Sequence, residues 1–580
     1  MPPRRTLLAI ATLLRRGLSS GVGGVGAVVD SKLTLDNINP AVLVTQYAVR
    51  GELVQRASAI QESNFAEKPY RKLLECNIGN PQAVGQSPLT FNRQVLSLLC
   101  YPELARNPAA AALFEPDAIL RAKEYLQAIP NGLGAYSESQ GFAIVRQQVA
   151  NFITKRDAGV PAYKENIFLT DGASKGVEKM LSLILRGRTD GVLVPIPQYP
   201  LYSATLALAE AHLLGYELVE EEGWRLSVDV LEEKLAAAKA NGIHTRGLVV
   251  INPGNPTGNS LPLENMKEVL RFCGKHGLIL MADEVYQENV WLESRPFHSF
   301  KKVLHTMADA PKVQLVSFHS TSKGFLGECG MRGGYFELCN FDPEVLPPNT
   351  ALRPPAPHAL FAQHSAYCPI GALRPNSPPP HARSPTHTPP TRHPHATLGS
   401  SPNTAPPHAT LGSAPNRAQV VQQLLKLVSI GLCSNTLGQI ATGLMVQPPA
   451  LGEPSYARYS AEKEAILTSM RRRALKLVDG LNAMEGVTCN APEGAMYAFP
   501  SITLPPKAIA AAEAAGKVPD TFYALALLEA TGIVVVPGSG FGQKQGTWHF
   551  RTTFLPPEKD MEGVITRMGE FHKGFMAKYS

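Results

Sequence analysis

Four short apolar runs in the middle of this chain each stop at a loop rich in Gly, Pro, Asn or Ser. They span Val192–Pro197, Gly247–Ile251, Leu278–Ala282 and Val313–Phe318. A run of consecutive apolar residues between turn residues marks a strand buried on both faces, because a half-solvated strand alternates instead. Ahead of the first run, Val177, Met180, Leu181, Ile184 and Leu185 recur at i, i+3, i+4, i+7 and i+8, the spacing of a helix with one buried face. Continuous apolar strands mixed with such helices predict an open, doubly wound α/β sheet. Sheets of that kind place ligands at the carboxyl ends of their strands. The chemistry is therefore expected in the loops that follow the runs.

Those loops carry a consistent set of groups. After Phe318 comes His319-Ser-Thr-Ser-Lys323-Gly, with Arg332 nine residues beyond the lysine. An amine in a small hydroxyl-rich turn can attach to an aldehyde cofactor while Ser320 and Arg332 hold its phosphate, which is what pyridoxal 5'-phosphate requires. Asp283 closes the Leu278–Ala282 run. A buried carboxylate there keeps the cofactor's pyridine nitrogen protonated, so that the ring can take up electrons. Tyr286, three residues on, and Asn255, in the N-P-G-N-P-T-G loop after Ile251, can donate to the ring oxygen. Ala173 and Ser174 open the amphipathic helix after Thr170-Asp-Gly, and a helix N-terminus offers free N–H groups to a phosphate. Tyr199, just past the first run, is placed to stack on the ring, with Tyr202 as the packing tyrosine beside it.

Taken together, these segments resemble the class I/II, fold type I aminotransferases of the aspartate aminotransferase superfamily, and within them the alanine aminotransferases. The resemblance is carried by LECNIGNPQ (74–82), GAYSESQG (134–141), FLTDGASKGV (168–177), INPGNPTGNSL (251–261), ADEVYQENV (282–290), SFHSTSKGFLGECGMRGGYFEL (317–338), EGAMYAFP (493–500) and GTWHFRTTFLPP (546–557), in the family's order. It implies a large doubly wound domain with a mixed, mostly parallel sheet, and a smaller α/β domain. It also implies a homodimer in which Tyr136 reaches the other subunit's phosphate. Arg551 would clamp the substrate α-carboxylate through two parallel hydrogen bonds. Gly79, with Ile78, would lie near the substrate, and Gly494–Tyr497 and Val536–Ser539 would shape the pocket less directly. Lys323 would serve both as anchor and as catalytic base. The implied reaction is L-alanine plus 2-oxoglutarate giving pyruvate plus L-glutamate, with small amino and oxo acids as partners. Glutamate:glyoxylate transamination is the alternative. A related lyase or an inactive cofactor-binding homologue stands further off.

Composition narrows the classes. The net charge of +7 is modest, and basic residues form no strip interleaved with aromatics, so neither nucleic acid nor a membrane is an expected partner. Eight cysteines without a CxxC pair argue against a zinc site or a disulfide scaffold, and no metal is expected. Residues 1–29 hold Arg4, Arg5, Arg15 and Arg16 and no acid, the pattern of an organelle transit peptide, mitochondrial first and plastid second. The expected division is then 30–125 as N-terminal arm and part of the small domain, 126–455 as the large domain, and 456–580 as the rest of the small domain.

Residues 346–419 interrupt this plan. Within 347–417 lie 18 of the 49 prolines and 7 of the 15 histidines, and no Asp or Glu occurs between Glu344 and Glu453. Such a tract cannot bury a core and is expected to be disordered. Its flanks are two halves of one helix. Asp342-Pro-Glu344 is a start without a body, and Val420–Val428 is a body without a start. Excision joins them, as expected of a retained intron, a gene-model error or an in-frame insertion.

Overall fold

The computed structural model describes residues 33–45, 51–341 and 418–580. The 1–29 segment, the helix start at 342–344 and the insert up to residue 417 lie outside them. Seven strands form the central sheet: β1 (Ile167–Thr170), β2 (Asp190–Ile196), β3 (His212–Glu217), β4 (His244–Ile251), β5 (Ile279–Asp283), β6 (Leu315–Ser320) and β7 (Gly334–Cys339). Their spatial order is β1-β7-β6-β5-β4-β2-β3. Only β7 runs antiparallel to its neighbours, so the carboxyl ends of the other six share one edge. The sheet is thus mixed, as the resemblance implied. Every residue of β1, β6 and β7 is buried, including the polar Ser317, His319, Ser320 and Glu337.

Helices cover both faces. On one side α1 (Ala173–Ile184), α2 (Pro200–Leu208) and α3 (Ala418–Ser429) bury Val177, Met180, Leu181, Tyr202, Leu206 and Leu424 against Val194, Phe318 and Phe336. On the other, helices Val228–Ala240, Leu263–His276 and Phe300–Thr306 bury Leu231, Met266, Leu270 and Phe300. The predicted helical face of α1 is the buried one, except that Leu185 has already turned extended (φ −92°, ψ 135°). The expected helix body at 420–428 is α3. Strand limits shift by up to three residues from the sequence reading. β6 runs to Ser320, which therefore ends a strand rather than opening a turn.

A separate apolar core gathers both ends of the described chain. Leu53, Leu74 and Cys76 pack there with Met470, Leu477, Tyr497, Phe550, Val564 and Phe575. Leu74–Glu75 pairs in parallel with Ile533–Val534. Three more short strands, β8 (Tyr497–Ala498), β9 (Val536–Pro537) and β10 (Phe550–Thr553), line up as β8-β10-β9 with β10 central. Arg551 sits on that central strand. No helix among the described residues is long and apolar enough to cross a membrane.

Candidate active site

The strand ends β1, β2, β4, β5 and β6 and the strand β10 surround a cavity of about 460 Å³. Its lining includes Gly79, Ala173, Ser174, Tyr199, Asn255, Asp283, Tyr286, Ser320, Lys323, Arg332 and Arg551. Of the residues expected from sequence to touch cofactor or substrate, Tyr136 alone is elsewhere. It is 76% exposed and does not line the cavity.

Lys323 Nζ donates to the Gly79 carbonyl at 2.8 Å and lies 5.8 Å from the centroid of the Tyr286 ring. Gly79 has no room for a side chain: a Cβ there would stand 2.2 Å from Tyr497 Oη and 2.9 Å from Lys323 Nζ. Tyr286 donates to Tyr497 Oη at 3.0 Å. Burial pushes the Tyr497 hydroxyl up, yet the charges on Lys323 and Arg551 and the bond from Tyr286 together hold it below the usual tyrosine range. Tyr497 thus meets the lysine, the arginine and Tyr286, whereas the sequence reading treated its segment only as indirect shaping. Cys329 lines the same wall as a thiol, its Sγ donating to Ser322 O at 3.2 Å, and burial raises its pKa.

Asp283 is buried, and one of its oxygens is satisfied: Tyr202 donates to Oδ2 at 2.9 Å. Oδ1 has no partner. Burial pushes the carboxyl up to about 6, against the opposing effects of Tyr202, the Val285 N–H and Lys323. A buried, half-satisfied carboxylate on the cavity wall fits a cationic ring nitrogen. Tyr202 had been taken for a packing residue; it is also Asp283's hydrogen-bond donor.

At the other end of the cavity Gly172 (φ 77°) leads into α1, bringing Ala173 and Ser174 to the lining. A Cβ on Gly172 would come within 2.6 Å of Arg332 Nη2, so only glycine lets that guanidinium cross the helix N-terminus. There it donates to Asp171 O at 2.7 Å and Cys329 O at 3.2 Å. Ser320 Oγ accepts from Ser322 N–H at 3.1 Å, and the buried Ser322 Oγ has no partner. Hydroxyls, a guanidinium and a helix N-terminus form a fitting cradle for a phosphate. The cavity therefore fits pyridoxal 5'-phosphate at both of its polar ends.

Arg551 is 2% exposed. Its Nη1 donates to Asn255 Oδ1 at 3.0 Å and its Nη2 to the Asn77 carbonyl, while Nε is unpartnered. The guanidinium carbon lies 4.3 Å from the Tyr497 ring centroid and 4.7 Å from that of Phe541. Among the described residues no carboxylate pairs with it. A buried cation held by an amide, a carbonyl and two rings is prepared for an anion from outside.

Comparison with known proteins agrees with this arrangement. The profile of the family "Aminotransferase class I and II" matches residues 107–348 and 405–568, passing over most of the insert. A probable mitochondrial alanine aminotransferase of Dictyostelium discoideum is 46% identical over 94% of this chain and 90% of its own length. A glutamate–glyoxylate aminotransferase of Arabidopsis thaliana is 45% identical over 94% and 97%. Among solved structures, an alanine aminotransferase from Pyrococcus furiosus superposes with a TM-score of 0.63 at 20% identity, covering 92% of this chain and 99% of that one, a likeness of fold.

Proposed function

Because the chain belongs to the class I and II aminotransferases, we propose that it transfers the amino group of L-alanine to 2-oxoglutarate, giving pyruvate and L-glutamate, with pyridoxal 5'-phosphate as cofactor. When bound, that group supplies an aldehyde carbon for amines and a ring that takes up the electron pair left by a broken Cα–H bond. The observation that carries the reading is one cavity that joins Lys323, the unpartnered Asp283 oxygen and the unpaired Arg551.

The protein's own residues divide the work. Arg551 binds the substrate α-carboxylate, which orients Cα toward Lys323. Lys323 Nζ removes the proton from Cα and holds it, and Gly79 keeps that amine in place through its carbonyl. Asp283 holds a proton at the ring nitrogen, fixed in turn by Tyr202. Asn255, turned by its Oδ1 bond to Arg551, presents its amide nitrogen, and with Tyr286 donates to the ring oxygen. Tyr199 stacks on the ring. Ser174, Ser320, Arg332 and the Ala173 end of α1 hold the phosphate, joined by Tyr136 of a second copy in a homodimer. Residues 126–455, interrupted by 346–419, are the domain that holds the cofactor, and 456–580 with part of 30–125, whose remainder is an N-terminal arm, the smaller one. The arginine-rich first 29 residues support delivery to mitochondria.

The test is a half-reaction. Protein loaded with pyridoxal 5'-phosphate and given L-alanine without an oxo acid should release about one pyruvate per site, since Lys323 and the cofactor act once without a second substrate. The 45% identity to a glutamate–glyoxylate aminotransferase supports a second reading. Absent pyruvate, with glycine formed from glutamate and glyoxylate, would favour that one.

A further inference from the structure

Arg551 is braced from behind. Two residues earlier on the same segment, His549 is 2% exposed, and its ring lies parallel to Phe499 with centroids 4.8 Å apart. Its Nδ1 meets Gln543 Oε1 at 3.0 Å, and its Nε2 faces the two Glu220 carboxylate oxygens at 3.1 and 3.2 Å. Gln543 Nε2 donates to Asp520 Oδ2 at 2.7 Å. Asp520, fully buried, also accepts from the Ser539 N–H at 2.7 Å and the Ser539 hydroxyl at 2.9 Å.

The direction of this chain follows from what each group can do. A carboxylate only accepts, so the Gln543 amide nitrogen faces Asp520 and its oxygen faces His549. Nδ1 must then donate. Nε2 faces a second carboxylate, on Glu220, which can only accept. The imidazole is held at both nitrogens and cannot turn without giving up a charge-assisted bond.

The chain closes the turn Gly538–Phe541. Gly538 N–H donates to the His549 carbonyl at 2.8 Å, and a Cβ at Gly538 would stand 2.5 Å from Gln543 Oε1 and 2.7 Å from His549 Cβ. At the end of the turn Phe541 lays its ring against the Arg551 guanidinium, and its carbonyl accepts the Gln198 N–H at 2.7 Å, next to Tyr199. None of Glu220, His549, Gln543 and Asp520 lines the cavity. They touch no reacting atom.

We infer that Glu220, His549, Gln543 and Asp520 form a positioning network that holds Phe541 against Arg551 and thereby aims the guanidinium at the substrate α-carboxylate. The inference rests on Arg551 being that carboxylate's partner. The α-carboxylate is common to all four substrates, so loosening the network raises every KM in parallel and leaves kcat nearly unchanged, the mark of lost uniform binding.

Gln543→Glu is the sharpest perturbation. It keeps an acceptor for His549 but sets a carboxylate against Asp520. Glu220→Leu, at a side chain 27% exposed, breaks the other end at little risk to folding. Binding of succinate, a carboxylate with no amino or oxo group to react, is measured by calorimetry on the holoenzyme alongside KM and kcat. Gln543→Glu and Glu220→Leu should each weaken succinate about tenfold and raise all four KM values alike, with kcat within about twofold. Parent-like binding in either variant overturns the network. Arg551→Lys, run in parallel, separates the two levels. If it weakens succinate while the network variants do not, the network alone falls. If it leaves succinate unchanged, the carboxylate reading falls and the network's role with it.

Discussion

Asp283→Asn should stabilise the protein stripped of cofactor while ending its activity, and pH should tune the first effect. The carboxyl is buried, with Oδ1 unpartnered, and its folded pKa is pushed up from 3.8 to about 6. For an acid, a raised folded value is a penalty on the ionised form. It is absent below about pH 4, grows as pH rises through the interval to about 6, and is constant above. The shift amounts to about 3 kcal/mol. Asparagine matches the protonated acid in shape and keeps an oxygen for Tyr202, so its advantage should track ionisation alone. That advantage should rise from about 1 kcal/mol at pH 4.5 to about 3 kcal/mol at pH 7.5. Thermal unfolding of both proteins without cofactor, in matched buffers, would show a gap of a few degrees widening with pH. Added pyridoxal 5'-phosphate should then raise the midpoint of the parent more than that of the variant, because only a carboxylate pairs with a ring cation. A gap that stayed constant with pH, or a parent more stable than the variant at pH 7.5, would refute the view of Asp283 as a buried charge awaiting its partner.

Three further outcomes are expected. Lys323→Ala should cut turnover at least about a thousandfold, as loss of both anchor and base demands, while equilibrium dialysis still finds cofactor held by the phosphate cradle. Gly79→Ala places a methyl 2.2 Å from Tyr497 Oη and 2.9 Å from Lys323 Nζ; kcat should drop about tenfold or more through a displaced amine, with the circular dichroism spectrum unchanged. Tyr202→Phe strips Asp283 of its side-chain donor; retention of cofactor at pH 7 should weaken about tenfold, the scale of one hydrogen bond to a charged group, read by titrating the stripped protein.

Much of the sheet and most of the cavity wall could be read from the chain because they are local. Asp283, Ser320, Tyr199 and Asn255 each follow an apolar run, and a parallel sheet brings such positions to one edge. Ala173 and Ser174 announce themselves as the start of an amphipathic helix. What stayed hidden depends on distant partners. Tyr286 and Tyr497 are 211 residues apart, and nothing in Gly494-Ala-Met-Tyr497 says that its hydroxyl will stand between a lysine and an arginine. Tyr202 looked like any buried aromatic until β5 brought Asp283 to its hydroxyl. His549 and Glu220 are 329 residues apart. Arg551 was recognised only through the family, since an arginine in a late strand carries no local sign of burial.

The charges around the cavity explain why such a wall is conceivable at all. Lys323, Arg332 and Arg551 face it together with a single acid, Asp283. Gathering like charges in a poorly hydrated space opposes folding. Lys323 and Arg551 hold the Tyr497 hydroxyl below its ordinary range although burial pulls it the other way. A phosphate discharges one end of this arrangement and a carboxylate the other. Part of what folding gives up is therefore recovered when the anions bind, the exchange of stability for function expected of a site arranged before its ligands arrive. Rings on both sides of Arg551 and the brace behind it serve the same end. They hold a cation still in a place where, without an anion, it would be better off in water.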